Sequence, residues 1–151
     1  MFNMDFSKRL VIETETLDWI ASPAKGVWRK PLEREEKESG HTTSVVKYDP
    51  KSSFSEHPHP QGEEIFVLEG VFSDETGDFP AGTYIRNPPG SAHSPSSKDG
   101  CTILVKLNQF DARDNAVSSL TGADQLNSSS YQYSRNGMAS GHRWLTSDAT
   151  A

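Results

Sequence analysis

Four side chains in this 151-residue chain have the types and spacing to hold one metal ion: His57, His59, Glu63 and His93. The segment His57-Pro58-His59-Pro60-Gln61-Gly62-Glu63 sets two imidazoles two residues apart, with a carboxylate four residues later. In a β-strand, side chains i and i+2 share a face, so His57 and His59 can converge on one point. Gly62 supplies a permissive backbone position at which the chain can turn before Glu63. His93 closes a second Gly/Pro-rich stretch, Asn87-Pro88-Pro89-Gly90-Ser91-Ala92-His93. Imidazole and carboxylate donors together suit borderline dications such as iron, zinc, nickel, copper or manganese. Three neutral imidazoles and one carboxylate leave the site positive once a dication is bound. That charge can polarise a bound water, an anion or a chelating carbonyl oxygen. A single histidine is usually structural or solvated; the joint spacing is what makes these four a set.

The elements that must position them read as short strands separated by turns. Leu10–Leu17 is β-rich and expected to form an N-terminal strand, pairing across a subunit boundary in a homodimer. Gly26–Leu32 reads as a second strand that Pro31 assigns to a sheet edge. Glu33-Arg34-Glu35-Glu36-Lys37-Glu38 is a charge run, read as a solvated loop. Thr42–Tyr48 is a third strand. In the segment from Glu63, parity places Glu63, Ile65 and Val67 on one face and Glu64 on the other, which selects Glu63 as the ligand. Phe66 and Leu68 make that strand apolar on both faces near its middle. Asp74-Glu75-Thr76-Gly77 is a hairpin turn, and Tyr84-Ile85-Arg86 a short strand. Cys101, Ile103, Val105 and Leu107 share an inward face, with Thr102, Leu104, Lys106 and Asn108 outward. Residues 111–151 change character: serine-rich and poor in apolar residues, they read as a partly ordered polar tail. Tyr131, Tyr133 and Trp144 suggest that some of it docks on the barrel.

Second-rank candidates are fewer. Cys101 is best read as a small buried side chain, with a redox-sensitive thiol near the metal as the other reading. His41 and His142 read as surface residues. Tyr84 and Arg86 precede the second motif, where they would either line the cavity mouth or face outward. The prolines 58, 60, 88 and 89 read as rigid loop formers that hold the ligands in place.

The two motifs resemble the two cupin signatures. His57, His59, Glu63 and Gly70 match the first, and Gly82, Pro88, Gly90 and His93 the second. Two positions depart: Lys51 and Ser52 stand where a glycine usually opens the first signature, and Ser97 where an Asn often follows the second. More narrowly, Gly26–Leu32, Ser53–Glu75, Gly77–Gly90 and Gly100–Leu107 resemble the cupin domain of ChrR-type anti-sigma factors. The likeness covers roughly residues 17–110. It implies an all-β cupin fold, a double-stranded β-helix (jelly-roll) barrel over residues 1–110 with its signature core at 53–107. It also implies a metal held by His57, His59, Glu63 and His93, usually zinc. Anti-sigma activity is not carried over. That family grips its sigma factor through an N-terminal zinc domain with a His-x-x-x-Cys-x-x-Cys motif, and this chain has one cysteine, Cys101.

Composition narrows the partners. A net charge of −6 argues against nucleic acid, whose phosphates need a basic face. No segment reads as a signal peptide or a membrane span. One cysteine excludes an intrachain disulfide and makes a reducing cytoplasm the expected compartment. The expected function is therefore binding or sensing of a small molecule at one divalent ion, zinc or iron(II), with manganese or nickel also open. The alternative is an Fe(II)-dependent dioxygenase that cleaves a diketone or hydroxyaryl ketone, as cupins of similar size do. That chemistry needs open coordination positions, which tetrahedral zinc would not leave.

Overall fold

The computed structural model describes residues 1–35 and 40–110, so Glu36, Lys37 and Glu38 of the acidic run and the tail expected at 111–151 lie outside it. Among the described residues eleven strands follow in chain order: β1 Ile20–Ala21, β2 Val27–Arg34, β3 Thr42–Tyr48, β4 Ser52–Ser53, β5 His57–His59, β6 Glu63–Asp74, β7 Gly77–Pro80, β8 Tyr84–Asn87, β9 Ser91–His93, β10 Ser96–Ser97 and β11 Cys101–Leu107. All pair antiparallel. One curled sheet runs β1-β2-β3-β11-β6-β10-β4, with β7 and β8 also on β6, and the ribbon β5-β9 stands apart. This is the all-β cupin barrel that the two signatures imply.

The core follows from period-two alternation. Val27, Val46, Tyr48, Ile65, Val67, Phe72, Cys101, Ile103 and Val105 form one buried cluster. They come from β2, β3, β6 and β11, which lie side by side in that sheet. Burying a side chain such as Val67 or Phe72 is worth about 1.5–3 kcal/mol. Cys101 therefore packs as a small core residue, and burial pushes its thiol pKa up.

Three expectations need correction. Leu10–Leu17 forms no strand: Thr14–Thr16 is a single 3-10 turn, closed by the Leu17 amide donating to the Thr14 carbonyl at 3.2 Å. This segment lies against the outside of the sheet, where the Lys30 ammonium donates to the Thr14 carbonyl at 2.8 Å. Trp19 sits under two cations, Lys30 at 4.6 Å and Lys47 at 4.9 Å from its ring. β-propensity lost to these tertiary contacts. Second, Asn108 does not face out. The strand ends at Leu107, Asn108 takes a left-handed φ of 60°, and its buried amide donates to the Gly40 carbonyl at 3.1 Å. Parity stops counting once the strand stops. Third, Glu33 and Arg34 belong to β2 rather than to a loop.

Pro31 marks an irregularity and does not end β2: the register against β3 shifts between Pro31 and Glu33. Proline lacks the amide a regular ladder would use, so a bulge there is expected. The extra residue changes the parity of the rest of the strand. Arg29 pairs with Val46 and Pro31 with Ser44, while Arg34 pairs with Thr42. Val46, Ser44 and Thr42 share a face of β3, so the bulge brings Arg34 onto the same side as Arg29.

Candidate metal centre

The ribbon β5-β9 sets His57 directly opposite His93, with His59 two residues along on the same face as His57. The three rings close into a triangle, with centroids 4.8 Å (His57–His59), 4.8 Å (His59–His93) and 5.2 Å (His57–His93) apart. Each offers one nitrogen, and these nitrogens lie within 4.8 Å of one another. Three histidines can hold a metal ion here.

Glu63 enters from the start of β6. Gly62 makes the turn possible: its amide donates to the His59 carbonyl at 3.1 Å and its φ is +74°. A Cβ there would run into the Phe110 ring and approach the Asn87 carbonyl. The Glu63 carboxylate Oε2 then stands 3.4 Å from His59 Nε2 and 3.3 Å from His93 Nε2. Two donors bound to one ion at the usual lengths would be about 3 Å apart at a right angle and about 3.4 Å at the tetrahedral angle. The spacings fit that range.

Hydrogen bonding sets which atoms are available. His57 Nδ1 lies 3.0 Å from the Ser55 carbonyl, so in the neutral ring it carries the proton and leaves Nε2 as the lone-pair donor. His59 Nε2 and both nitrogens of His93 are buried without a hydrogen-bond partner in the protein. A buried, unsatisfied nitrogen is costly, and a bound ion would satisfy it. Asp74 adds a carboxylate Oδ2 at 3.6 Å from His93 Nδ1, where it can orient the ring. Asp74 therefore has two roles: its other oxygen accepts from the Thr76 amide at 2.8 Å and hydroxyl at 2.6 Å in the expected hairpin turn.

Protonation suits the same purpose. Burial first, then the charges of His93 and His57, hold His59 down to about 4, so it is neutral near pH 7. His93 is lowered chiefly by burial and then by His57, against the opposing pull of Asp74 and Glu75. Burial raises Glu63 to about 7; the Asn87 amide opposes this by donating to Oε2 at 2.9 Å, and Arg29 opposes it electrostatically, while Asp74 adds to it. Burial thus brings the Glu63 carboxyl into the neutral range.

The site opens into a cavity of about 560 Å³, with Phe54, Val46, Ile65, Phe72, Ile103 and Val105 among its apolar walls. The structure places the other sequence candidates elsewhere. Glu64 faces out and accepts from the Tyr84 hydroxyl at 2.6 Å; Tyr84 and Arg86 are exposed on that outer face and do not line the cavity. Cys101 is absent from its walls and His41 is exposed. His142 lies outside the described residues. Sequence reasoning passed over Arg29, Asn87 and Asp74. Strand parity on β2 would have turned Arg29 inward beside Val27, but Asp74 was hidden behind its turn role.

Comparison with known proteins agrees with this geometry. The family model for the ChrR cupin-like domain matches residues 7–111. A protein assigned as an acetylacetone dioxygenase from Methylibium petroleiphilum superposes with a TM-score of 0.61 at 20% identity, over 71% of this chain and 83% of that one. An acetylacetone dioxygenase from Acinetobacter johnsonii gives 0.56 at 17%, over 66% and 72%. The Rhodobacter sphaeroides complex of SigE with the anti-sigma ChrR gives 0.53 at 23%, over 67% of this chain and 52% of that one, so this chain spans about half its length. No curated protein matches. At these identities the structural likenesses establish the fold. With the family model spanning most of its length, this chain belongs to the ChrR cupin-like family.

Proposed function

We propose that this chain is a divalent-metal-binding cupin that takes a small molecule into its cavity at a centre made by His57, His59, Glu63 and His93. The supporting observation is the convergence of three imidazoles, two with buried unsatisfied nitrogens, on one side of a largely apolar cavity. A dication there would supply Lewis acidity toward an oxygen donor of the ligand. The protein's part is to favour the neutral form of His59 and His93 by burial, orient His57 through Ser55 and His93 through Asp74, and keep water off one side of the site. Elemental analysis of the natively purified protein tests the reading: one zinc or iron per chain is expected, lost in His59→Ala and His93→Ala. Manganese or nickel would also fit the donor set, whereas metal-free protein that takes up none on titration would refute it.

An Fe(II)-dependent dioxygenase is the second reading, favoured by the apolar walls beside the site, which can exclude water from an oxygen-dependent reaction. The activity named for the acetylacetone dioxygenases points the same way. Oxygen uptake by iron-loaded protein with β-diketones and hydroxyaryl ketones would separate the two. We also propose a homodimer in a reducing cytoplasm, in keeping with the free, buried Cys101.

A further inference from the structure

Among the described residues, Arg29 is the arginine or lysine that lines the main cavity, and it has no hydrogen-bond or ion-pair partner there. Its Nε is buried and has no hydrogen-bond partner, and among the described residues no carboxylate lies within ion-pair distance of its guanidinium. The side chain is held over the Phe54 ring, Cζ 5.6 Å from the centroid, and the same ring lies 5.6 Å from that of His57. A guanidinium cannot escape burial by losing its proton, so an unpaired one is retained at a cost. Neighbouring groups offset that cost only in part. Burial disfavours the charge first; Tyr48 and, more weakly, Glu63 favour it electrostatically without bonding to it, and Arg34, brought to the same face by the bulge after Pro31, adds a second positive charge.

A second hollow meets the main cavity at this point. Arg29 and Arg34 line it together with Thr42, Ser44 and Asn108, so two cations and several hydroxyl and amide groups border the same space, beside apolar residues such as Ile20 and Leu107. Arg29, Thr42, Ser44, Leu107 and Asn108 line both spaces. With a dication, one carboxylate and this guanidinium, the cavity would be formally doubly positive.

We infer that Arg29 is the anion-recognising residue of this cavity, and that the natural ligand is a small organic carboxylate whose apolar body lies along Phe54, Ile103 and Val105 toward the imidazoles. A carboxylate matches the guanidinium fork with two parallel hydrogen bonds, satisfying the orphaned Nε–H. This rests on the cavity being the ligand site proposed above, but it does not require the metal.

The test uses phenylacetate and its neutral analogue phenylacetamide, titrated calorimetrically into natively purified protein. Phenylacetate is expected to bind the wild type more tightly than the amide, and to lose about ten- to hundredfold affinity in Arg29→Met. Metal content should be unchanged, and the amide should bind both proteins alike. Arg29→Met should also melt higher than the wild type, because a half-buried charge with an unsatisfied Nε has been removed; a purely structural arginine would give the opposite shift. Arg29→Gln provides a second charge-free variant should the methionine fail to fold. Equal phenylacetate affinity in these variants would overturn the proposal, as would loss of binding in His59→Ala alone, which would assign the carboxylate to the metal. Failure of acetate, benzoate and phenylacetate all to bind at millimolar concentration would overturn it too. Metal-free protein with Arg29-dependent affinity would instead refute the metal reading and leave this one standing.

Discussion

Glu63 and Glu64 are adjacent and chemically identical, yet the strand sends them to opposite sides of the sheet. Glu63 is buried beside two imidazoles, and Glu64 is bonded to Tyr84 outside. Glu63→Ala is expected to lower metal affinity about tenfold or more, and Glu64→Ala to leave occupancy unchanged; metal content after dialysis against a weak chelator reads both. The same residue sets the pH dependence. Metal binding needs the carboxylate form, and with a pKa near 7 Glu63 begins to take up its proton as pH falls through neutrality. His59, held down to about 4, competes only in much stronger acid. Affinity should therefore be full only about a pH unit above neutrality, be about halved near pH 7, and fall by up to about tenfold per pH unit below that. In Glu63→Gln that dependence between pH 5 and 7 should flatten; if it persisted, the acid limb would belong to the histidines.

Lys51 shows how an element can depart from its signature and still keep its shape. It stands where a glycine usually opens the first motif and adopts the backbone a glycine would, with φ at 64°. The turn is Asp49-Pro50-Lys51-Ser52, closed by the Ser52 amide donating to the Asp49 carbonyl at 3.2 Å. Proline second and a left-handed residue third is the type II pattern, which favours glycine in that third place. Lys51→Gly is expected to raise stability by a few tenths to about 1 kcal/mol, because a left-handed non-glycine residue is strained. Gly70→Ala should do the reverse. Its φ is +73°, and a Cβ would collide with the Gly100 carbonyl and the Cys101 backbone across the β6–β11 pair. A loss of more than about 2 kcal/mol is expected. Urea midpoints of the two variants should move in opposite directions from the wild type.

Across the whole molecule, the outer face of the sheet is unevenly covered. Register places Tyr84, Phe66, Leu104 and Val45 in one row across β8, β6, β11 and β3. At the Val45 end, Lys30 reaches the Thr14 carbonyl and Trp19 lies beside the lysines. At the other end Phe66, Leu68 and Tyr84 are 41%, 47% and 55% exposed. Contiguous exposed apolar side chains on a sheet favour association, so the proposed dimer is expected to use this end. Sedimentation at micromolar concentration should show a dimer that Leu68→Glu converts to monomer. A dimer insensitive to that change would place the contact elsewhere.

What the sequence determined by itself was local. Thr42–Tyr48 was legible as a strand to the residue, the Asp74–Gly77 hairpin was legible from its turn residues, and parity alone separated Glu63 from Glu64. His57, His59 and His93 were legible because signature spacing and strand geometry impose the same convergence. Only the tertiary structure decided the rest. Leu10–Leu17 left its β-propensity unused because contacts from Lys30 in a strand more than a dozen residues away hold it as a turn. Arg34 changed sides because one bulge at Pro31 resets parity, and no pattern in the residues themselves marks where the count restarts. Arg29 and Asp74 acquired their places at the site from strands and turns distant in sequence. Periodicity reports which face a residue occupies; which other faces meet it is a property of the curled sheet as a whole.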